Sequence, residues 1–216
     1  MNASRWYILL AAVSAVLGAL FLLPIALVVK GGFWVDGAFT LDYLLGVFRN
    51  PIYAEGLANS FAIAAGTTLL AMAIALPLAW ISHKYDFPGK ALFSALVLVP
   101  MILPPFVGAI GMTQLLGRYG VLNALLGTSV DWLGQARYAG VVAIQALALY
   151  PIAYLNASAA LANVDPAMEE AAANLGCPGW RRFFRITLPL IAPGLFAGGT
   201  LIFIWSFTEL GTPLML

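Results

Sequence analysis

Five long stretches without a charged residue constrain this chain more than any other feature of its sequence. A helix needs about 20 apolar residues to cross the hydrocarbon core of a bilayer, and each stretch is longer than that. Hydrophobic residues make up 62% of the 216 residues and charged residues 9%, so a water-soluble core could not hide the apolar side chains. We therefore predict an all-α, polytopic transmembrane helical bundle in a single domain, with spans at about residues 6–29, 57–82, 91–116, 139–162 and 188–210.

The positive residues between the spans predict which ends face the cytoplasm, because Lys and Arg are commoner on that side. A cytoplasmic N-terminus places six of them inside and four outside. The segment 163–187 is then a cytoplasmic loop. The inside set is Arg5, Lys84, Lys90, Arg181, Arg182 and Arg185, and the outside set is Lys30, Arg49, Arg118 and Arg137.

Prolines interrupt the third predicted span, and polar residues interrupt the later ones. Proline lacks a backbone N–H and clashes with the preceding turn, so the third helix must kink or break. In lipid such a break persists only where protein or a water-filled cavity satisfies the freed carbonyl groups. Polar side chains are costly in lipid and therefore mark candidates for a translocation path. The path candidates are Pro104, Pro105, Gln114, Gln145, Asn156 and Glu209.

These path candidates have structural alternatives, which the sequence leaves open. Glu209 either steers a cation or extends its carboxylate to the outer headgroups. Gln114, Gln145 and Asn156 either line the path or form hydrogen bonds between helices. The pair Gly198-Gly199 predicts close packing of helices before any functional role.

The loop 163–187 carries a spaced pattern of residues. Asp165 before Pro166 is typical of a helix start, and Gly176 is typical of a left-handed helix stop. The turn at Pro178-Gly179 precedes a second, basic and aromatic helix, so we predict a helix-turn-helix elbow. The pattern E-A-A-x3-G-x9-I-x-L-P is formed by Glu170, Ala171, Ala172, Gly176, Ile186, Leu188 and Pro189.

This pattern resembles the cytoplasmic loop through which the membrane subunits of bacterial binding-protein-dependent ABC importers contact their ATPase. The resemblance implies a type I ABC importer permease (MetI-like) fold, in which the elbow, called the coupling helix, docks in a cleft of the nucleotide-binding subunit. The alternative is an alanine-rich cytoplasmic helix without a partner. The loop residues that the resemblance implicates in coupling are Asp165, Glu169, Glu170, Ala171, Ala172, Gly176, Arg181, Arg182, Ile186, Leu188 and Pro189.

The same resemblance implies partners and a cellular location. It implies two ABC ATPase subunits on the cytoplasmic side, a second permease module (as a homodimer, a heterodimer or a fused half) and an extracytoplasmic substrate-binding protein. The chain would be a multi-pass protein of the bacterial inner membrane that binds no cofactor, with ATP and Mg used by the ATPase. The outer segment with Gly120, Asn123, Leu125 and Leu126 resembles permeases for ferric iron, thiamine, polyamines and phosphonates, and we expect ferric iron or another small solute as the cargo.

Other function classes find little support in the sequence. A P-loop needs the pattern G-x4-G-K-[ST]. Here Gly89-Lys90 is followed by Ala91, and no glycine stands five positions before Gly89, so we expect ATP hydrolysis on another subunit. His83 is the only histidine and Cys177 the only cysteine, which leaves no histidine metal motif and no internal disulfide. A net charge of +1 provides no basic stripe for nucleic acid.

Two questions stay open at this point. An ion-gradient-driven secondary transporter with Glu209 as its coupling carboxylate is the alternative function, whereas a membrane scaffold would leave the motif unexplained. The chain ends on the apolar stretch after Glu209. We expect it to be truncated at its C-terminus, and the alternative is the first half of a permease with two modules.

Overall fold

The structure is a computed structural model that describes residues 3–35, 37–102, 104–132 and 137–215. The chain divides into two compact units, Met1–Ala58 and Asn59–Leu216, which are described separately. The helix α3, Pro51–Lys84, begins in the first unit and continues in the second.

The first unit contains two helices and a small hairpin before α3 begins. The helix α1 covers Ala3–Phe33 and α2 covers Asp42–Arg49. Strands β1, Trp34–Val35, and β2, Ala38–Phe39, pair antiparallel in a two-residue ladder that the sequence did not predict. Gly37 at φ 82° permits the tight turn, and the rings of Trp34 and Phe39 meet edge to face at 5.7 Å.

All regular secondary structure among the described residues of the second unit is helical. Its core is formed mainly by α3, α7 and α10, which bury small and aliphatic residues against one another. Beyond α3, its elements are α4 (Lys90–Leu98), a 3-10 turn (Val99–Ile102), α5 (Pro105–Leu116), α6 (Val121–Leu126), α7 (Arg137–Ala162), α8 (Pro166–Asn174), α9 (Gly179–Arg182), a π-helix (Phe183–Thr187), α10 (Leu188–Thr208) and α11 (Gly211–Met215).

Four helical segments among the described residues are long and apolar enough to cross a membrane. They are Trp6–Phe33, Pro51–Lys84, Tyr138–Ala162 and Gly179–Leu214. The third predicted span corresponds to a bent pair, Lys90–Ile102 and Phe106–Leu126, whose axes differ by 97°. The predicted break is therefore confirmed, whereas the count of five spans holds only if this pair is taken as one.

Two glycines let α10 approach α7 closely. A methyl group on Gly194 would lie 2.6 Å from the Ala160 Cβ, and one on Gly198 would lie 3.0 Å from the Asn156 Cβ. Gly199 packs against α3 instead, where a Cβ would lie 2.8 Å from the end of Met72. Small residues spaced four apart are a common way to bring helices together in lipid. The packing role predicted for Gly198-Gly199 is confirmed.

Candidate functional site

The helix α8 begins and ends as the sequence predicts. The Asp165 carboxylate accepts a hydrogen bond from the Ala167 N–H at 2.9 Å, which caps the helix start. At the other end Gly176 adopts φ 78°, and its N–H bonds to the Ala173 carbonyl while that of Cys177 bonds to Ala172. This pair of bonds is a Schellman stop, which reverses the chain at a defined angle. The first half of the elbow is therefore a short rigid helix.

The second half of the elbow is continuous with the following span, which the sequence did not predict. The sequence predicts a second helix that ends before Leu188 and Pro189 open the next span. Instead α9 passes through the π-helix Phe183–Thr187 directly into α10. The π-helix accommodates one residue more than an α-helix would in the same turn. Such π segments occur often at functional sites. A displacement of α9 is thus transmitted directly to α10.

One side of α8 is anchored to the spans by Glu169. Its Oε1 accepts a hydrogen bond of 2.5 Å from the Thr187 hydroxyl, and Thr187 is 2% exposed. Its Oε2 lies 3.6 Å from the Lys84 ammonium at the end of α3. Lys84 in turn lies 5.7 Å from the centre of the Trp80 ring, and Trp80 meets Phe183 edge to face. Glu169 therefore connects α8 with both α3 and the start of α10.

The electrostatics of this anchor favour the ionised carboxylate. The hydrogen bond from Thr187 is the largest cause that holds the pKa of Glu169 below its ordinary value. Burial opposes the shift, and the charges of Lys84 and Arg182 reinforce it. The anchor is therefore formed by a charged group at neutral pH.

The opposite side of the elbow is free in the described chain. Glu170, Ala171 and Gly176 are exposed, and Leu175 is 88% exposed at the tip. We call these four residues the free face. An apolar side chain this exposed, beside a carboxylate and small residues, is typical of a surface that another protein covers.

The remaining loop residues of the predicted set divide between the two sides. Arg181 stacks over the Trp180 ring at 5.5 Å and is exposed together with Pro189. The half-buried members are Ala172, Arg182, Ile186 and Leu188.

Sequence reasoning missed three residues of this site. Thr187 occupies a variable position of the pattern, and its bond to Glu169 spans 18 residues that no local rule connects. Lys84 was recognised only as a cytoplasmic charge. Leu175 also lies at a variable position, although its place one residue before the helix stop indicates exposure once the elbow is predicted.

Among the path candidates, Gln145 is fully buried and joins three helices. Its Oε1 accepts hydrogen bonds from Thr67 of α3 at 3.2 Å and from Ser206 of α10 at 2.5 Å. No acceptor among the described residues reaches its Nε2. The interhelical alternative raised for this residue is the one that the structure supports.

The other path candidates make separate local contacts. Asn156 donates to the Ile152 carbonyl of its own helix at 2.9 Å and packs against Gly198. The Glu209 carboxylate accepts from the Thr212 N–H at 3.2 Å and so caps α11. Gln114 and Pro104 are exposed, and Pro105 takes the first position of α5.

No cluster for a metal ion is present in the described ranges, since nowhere there do three or more His, Cys, Asp or Glu side chains come together. The described part of the elbow also contains no phosphate-binding loop. The elbow combines an exposed set of residues with a set of contacts to α3 and to the start of α10.

A family model described as "Binding-protein-dependent transport system inner membrane component" matches residues 75–216. Those residues include the whole elbow and every path candidate.

Curated relatives carry transport names. The chain is 33% identical over 155 residues to the molybdenum transport system permease protein ModB of Haemophilus influenzae, which covers 70% of this chain and 66% of the relative. It is 32% identical over 182 residues to the putative ferric transport system permease protein FbpB 1 of the same species, covering 82% of this chain and 27% of the relative. A molybdate/tungstate permease, WtpB of Thermococcus kodakarensis, is 29% identical over 96% of this chain and 76% of its own. The chain thus spans about two thirds of one relative and about a quarter of another.

Solved structures share the fold. A bacterial ABC transporter involved in the import of the acidic polysaccharide alginate superposes with a TM-score of 0.74 and 20% identity, over 96% of this chain and 76% of that chain. The same kind of transporter in complex with an alginate pentasaccharide-bound periplasmic protein gives 0.69 at 17% identity, over 97% of this chain and 79% of that chain. The predicted fold class is confirmed.

Proposed function

Because the chain belongs to the family of binding-protein-dependent transport system inner membrane components, we propose that it forms the substrate path of an ABC importer and couples to a separate ATPase through the elbow 163–187. The ATPase would bind ATP and Mg, and this chain would supply helices that rearrange when the ATPase closes. The N-terminus and the elbow would both lie in the cytoplasm.

The observation that carries this proposal is the division of the elbow into two sides. On one side Glu169 fastens α8 to Thr187 and Lys84, so α8 moves with the ends of two spans. On the other side the free face presents Leu175 and Glu170 to a partner. A partner that moves the free face therefore moves α3 and α10. That is the mechanical requirement for coupling ATP hydrolysis to transport.

The remaining partners follow from the family. We propose that the chain pairs with a second permease module and receives cargo from an extracytoplasmic binding protein. Ferric iron is the predicted cargo, and the relatives named for molybdenum support an oxyanion equally, so we propose an inorganic ion as the cargo class. The rival carrier with Glu209 as its coupling group is not favoured, because the Glu209 carboxylate caps α11.

Replacing Gly176 with Asp tests the docking role. A Cβ on Gly176 meets no atom within 4 Å, so the side chain fits and projects from the free face. We expect Gly176→Asp to insert normally but to lose its P-loop ATPase in a pull-down from detergent-solubilised membranes. The readout is the ATPase recovered with the tagged full chain, identified by mass spectrometry.

Gly127→Asp is the matched control. Gly127 also ends a short helix, has φ 64° and offers the same open space, but it follows α6 rather than the elbow. The backbone strain of an aspartate at positive φ is thus shared by both variants. Equal ATPase recovery from the two variants would refute docking through the elbow.

A further inference from the structure

A cavity of about 580 Å³ lies on the anchored side of the elbow. Its wall follows α3 from Ala73 to Lys84 and continues at Tyr85, and side chains of α8, α9 and the π-helix close it. The four residues of the free face are not among its described lining residues. The cavity is therefore distinct from the surface proposed to meet the ATPase.

The depth of the cavity limits what can occupy it. Ala73 and Lys84 are eleven residues apart in α3, which corresponds to about 17 Å along the helix axis. Since α3 is long and apolar enough to cross a membrane and ends at Lys84, the cavity runs from the end of the helix toward the apolar part of the span. Leu76 and Pro77 continue its apolar wall in that direction. A water-soluble subunit does not reach this depth, whereas an acyl chain does.

Aromatic rings surround the shallow end of the cavity. Trp80, Tyr85 and Trp180 line it, and Trp and Tyr are enriched where membrane proteins meet the headgroups. The Trp180 side chain is 67% exposed and Phe184 is 60% exposed. These faces leave apolar surface for an occupant to cover.

The charged residues that line the cavity determine which charge an occupant should carry. Three charged residues line it: Lys84 and Arg182 are positive and Glu169 is negative, so the lining carries a net charge of +1. Lys84 is already paired with Glu169 at 3.6 Å. Arg182 acts on Glu169 at longer range but has no ion-pair contact within 4 Å in the described ranges, and a guanidinium binds phosphate oxygens through two parallel N–H groups.

We propose that this cavity binds one anionic phospholipid, with its phosphate at Arg182 and Lys84 and one acyl chain along α3. Basic pockets between helices at the membrane surface are known to hold such headgroups. The bound lipid would fill the space between α3 and the elbow and thereby stiffen the connection through Glu169. The site requires a membrane and does not depend on an ATPase.

Native mass spectrometry of the purified full chain tests the site by titration with palmitoyl-oleoyl phosphatidylglycerol or phosphatidylcholine. We expect one phosphatidylglycerol per chain to be retained in preference to phosphatidylcholine. Arg182→Gln should weaken that retention about fivefold, the effect of one basic residue near an anionic lipid. Arg185→Gln is the matched control, because exposed Arg185 is three residues away and does not line the described cavity.

The outcomes distinguish specific lipid binding in the cavity from nonspecific electrostatic attraction of the lipid to the protein surface. If Arg182→Gln and Arg185→Gln lose phosphatidylglycerol to the same extent, the lipid is attracted by general surface charge, and the proposal is overturned. Equal retention of phosphatidylglycerol and phosphatidylcholine by the wild type would overturn it too. Ala73→Trp, which fills the deep end without changing charge, should also lose the lipid. Full retention by that variant would exclude an acyl chain along α3. Because the readout contains no ATPase, failure here leaves the docking experiment with Gly176→Asp unaffected.

Discussion

At the scale of single residues, a few buried amides hold separate parts of the chain together. Asn123 is 3% exposed, and its Oδ1 accepts from the Thr128 hydroxyl at 2.7 Å and from the Trp132 indole N–H at 3.2 Å. Its Nδ2 donates to carbonyl groups on both sides of α6, including that of Val130 at 2.6 Å. Gln145 has the same function between spans. Asn123 satisfies loop carbonyl groups that no secondary structure pairs, whereas Gln145 binds side-chain hydroxyls of two neighbouring helices.

Asn123→Leu should destabilise the segment that follows α5. The substitution keeps the volume but leaves several buried polar groups without their partner, at a cost of about 1–3 kcal/mol. Thermal unfolding of the purified chain measures it as a lower Tm. Asn163→Leu is the control, since exposed Asn163 bonds only its own helix, at Ala159, and should change stability by about 0.5 kcal/mol or less. An unchanged Tm for Asn123→Leu would show that water replaces these bonds.

Single residues also mark where sequence reasoning succeeds. Asp165 and Gly176 were predictable because their roles depend on the backbone within a few positions. Thr187 was not predictable, because its role depends on a carboxylate 18 residues away. Gln145 was recognised as unusual from its place in an apolar span, but its partners Thr67 and Ser206 required the packing of three helices. Roles that depend on neighbouring residues can thus be predicted from the sequence, whereas contacts between residues far apart in the chain cannot.

At the scale of elements, the elbow and its span form one mechanical part. The sequence predicted a separate second helix, because Leu188-Pro189 reads as a fresh helix start. Pro189 is accommodated without a break because the π-helix precedes it, so the rod continues from α9 into α10. Because α9 and α10 are continuous, the contact of Glu169 with Thr187 determines whether α8 also moves with α10.

The anchor should weaken in acid. The pKa of Glu169 is lowered in the folded chain, so its contribution to stability is full above the ordinary carboxyl pKa and is lost as the pH falls through the lowered value. Thr187→Val removes the principal hydrogen bond while keeping the volume. We expect α8 amides of that variant to be less protected from hydrogen exchange at neutral pH, relative to the intrinsic rate at that pH, and to lose less further protection in acid than the wild type does.

Glu170→Gln is the control for this experiment, since the neighbouring carboxylate is exposed and belongs to the free face. Its exchange should match the wild type at each pH. Identical exchange in Thr187→Val and the wild type would mean that α8 is held by packing rather than by Glu169.

At the scale of the whole molecule, the proposed function requires the elbow and the α6 segment to lie on opposite sides of the membrane. The composition predicted a membrane protein, and the family match and shared fold agree with that. The prediction of which side faces the cytoplasm rests on less, namely six positive residues predicted inside against four outside. The chain supplies its own probe, because Cys177 is its only cysteine and lies half-buried in the elbow, beside Gly176.

A membrane-impermeant maleimide should therefore label Cys177 in inside-out vesicles and not in intact spheroplasts. The paired variant Cys177→Ser with Gly127→Cys moves the thiol to the exposed end of α6 and should reverse this pattern. Adding the ATPase should protect Cys177 and leave the α6 thiol unchanged, because only the elbow is proposed to be covered. Labelling of Cys177 from outside would invert the topology and remove the elbow from the reach of any cytoplasmic ATPase. Labelling from inside without protection would keep the topology and place the ATPase contact elsewhere.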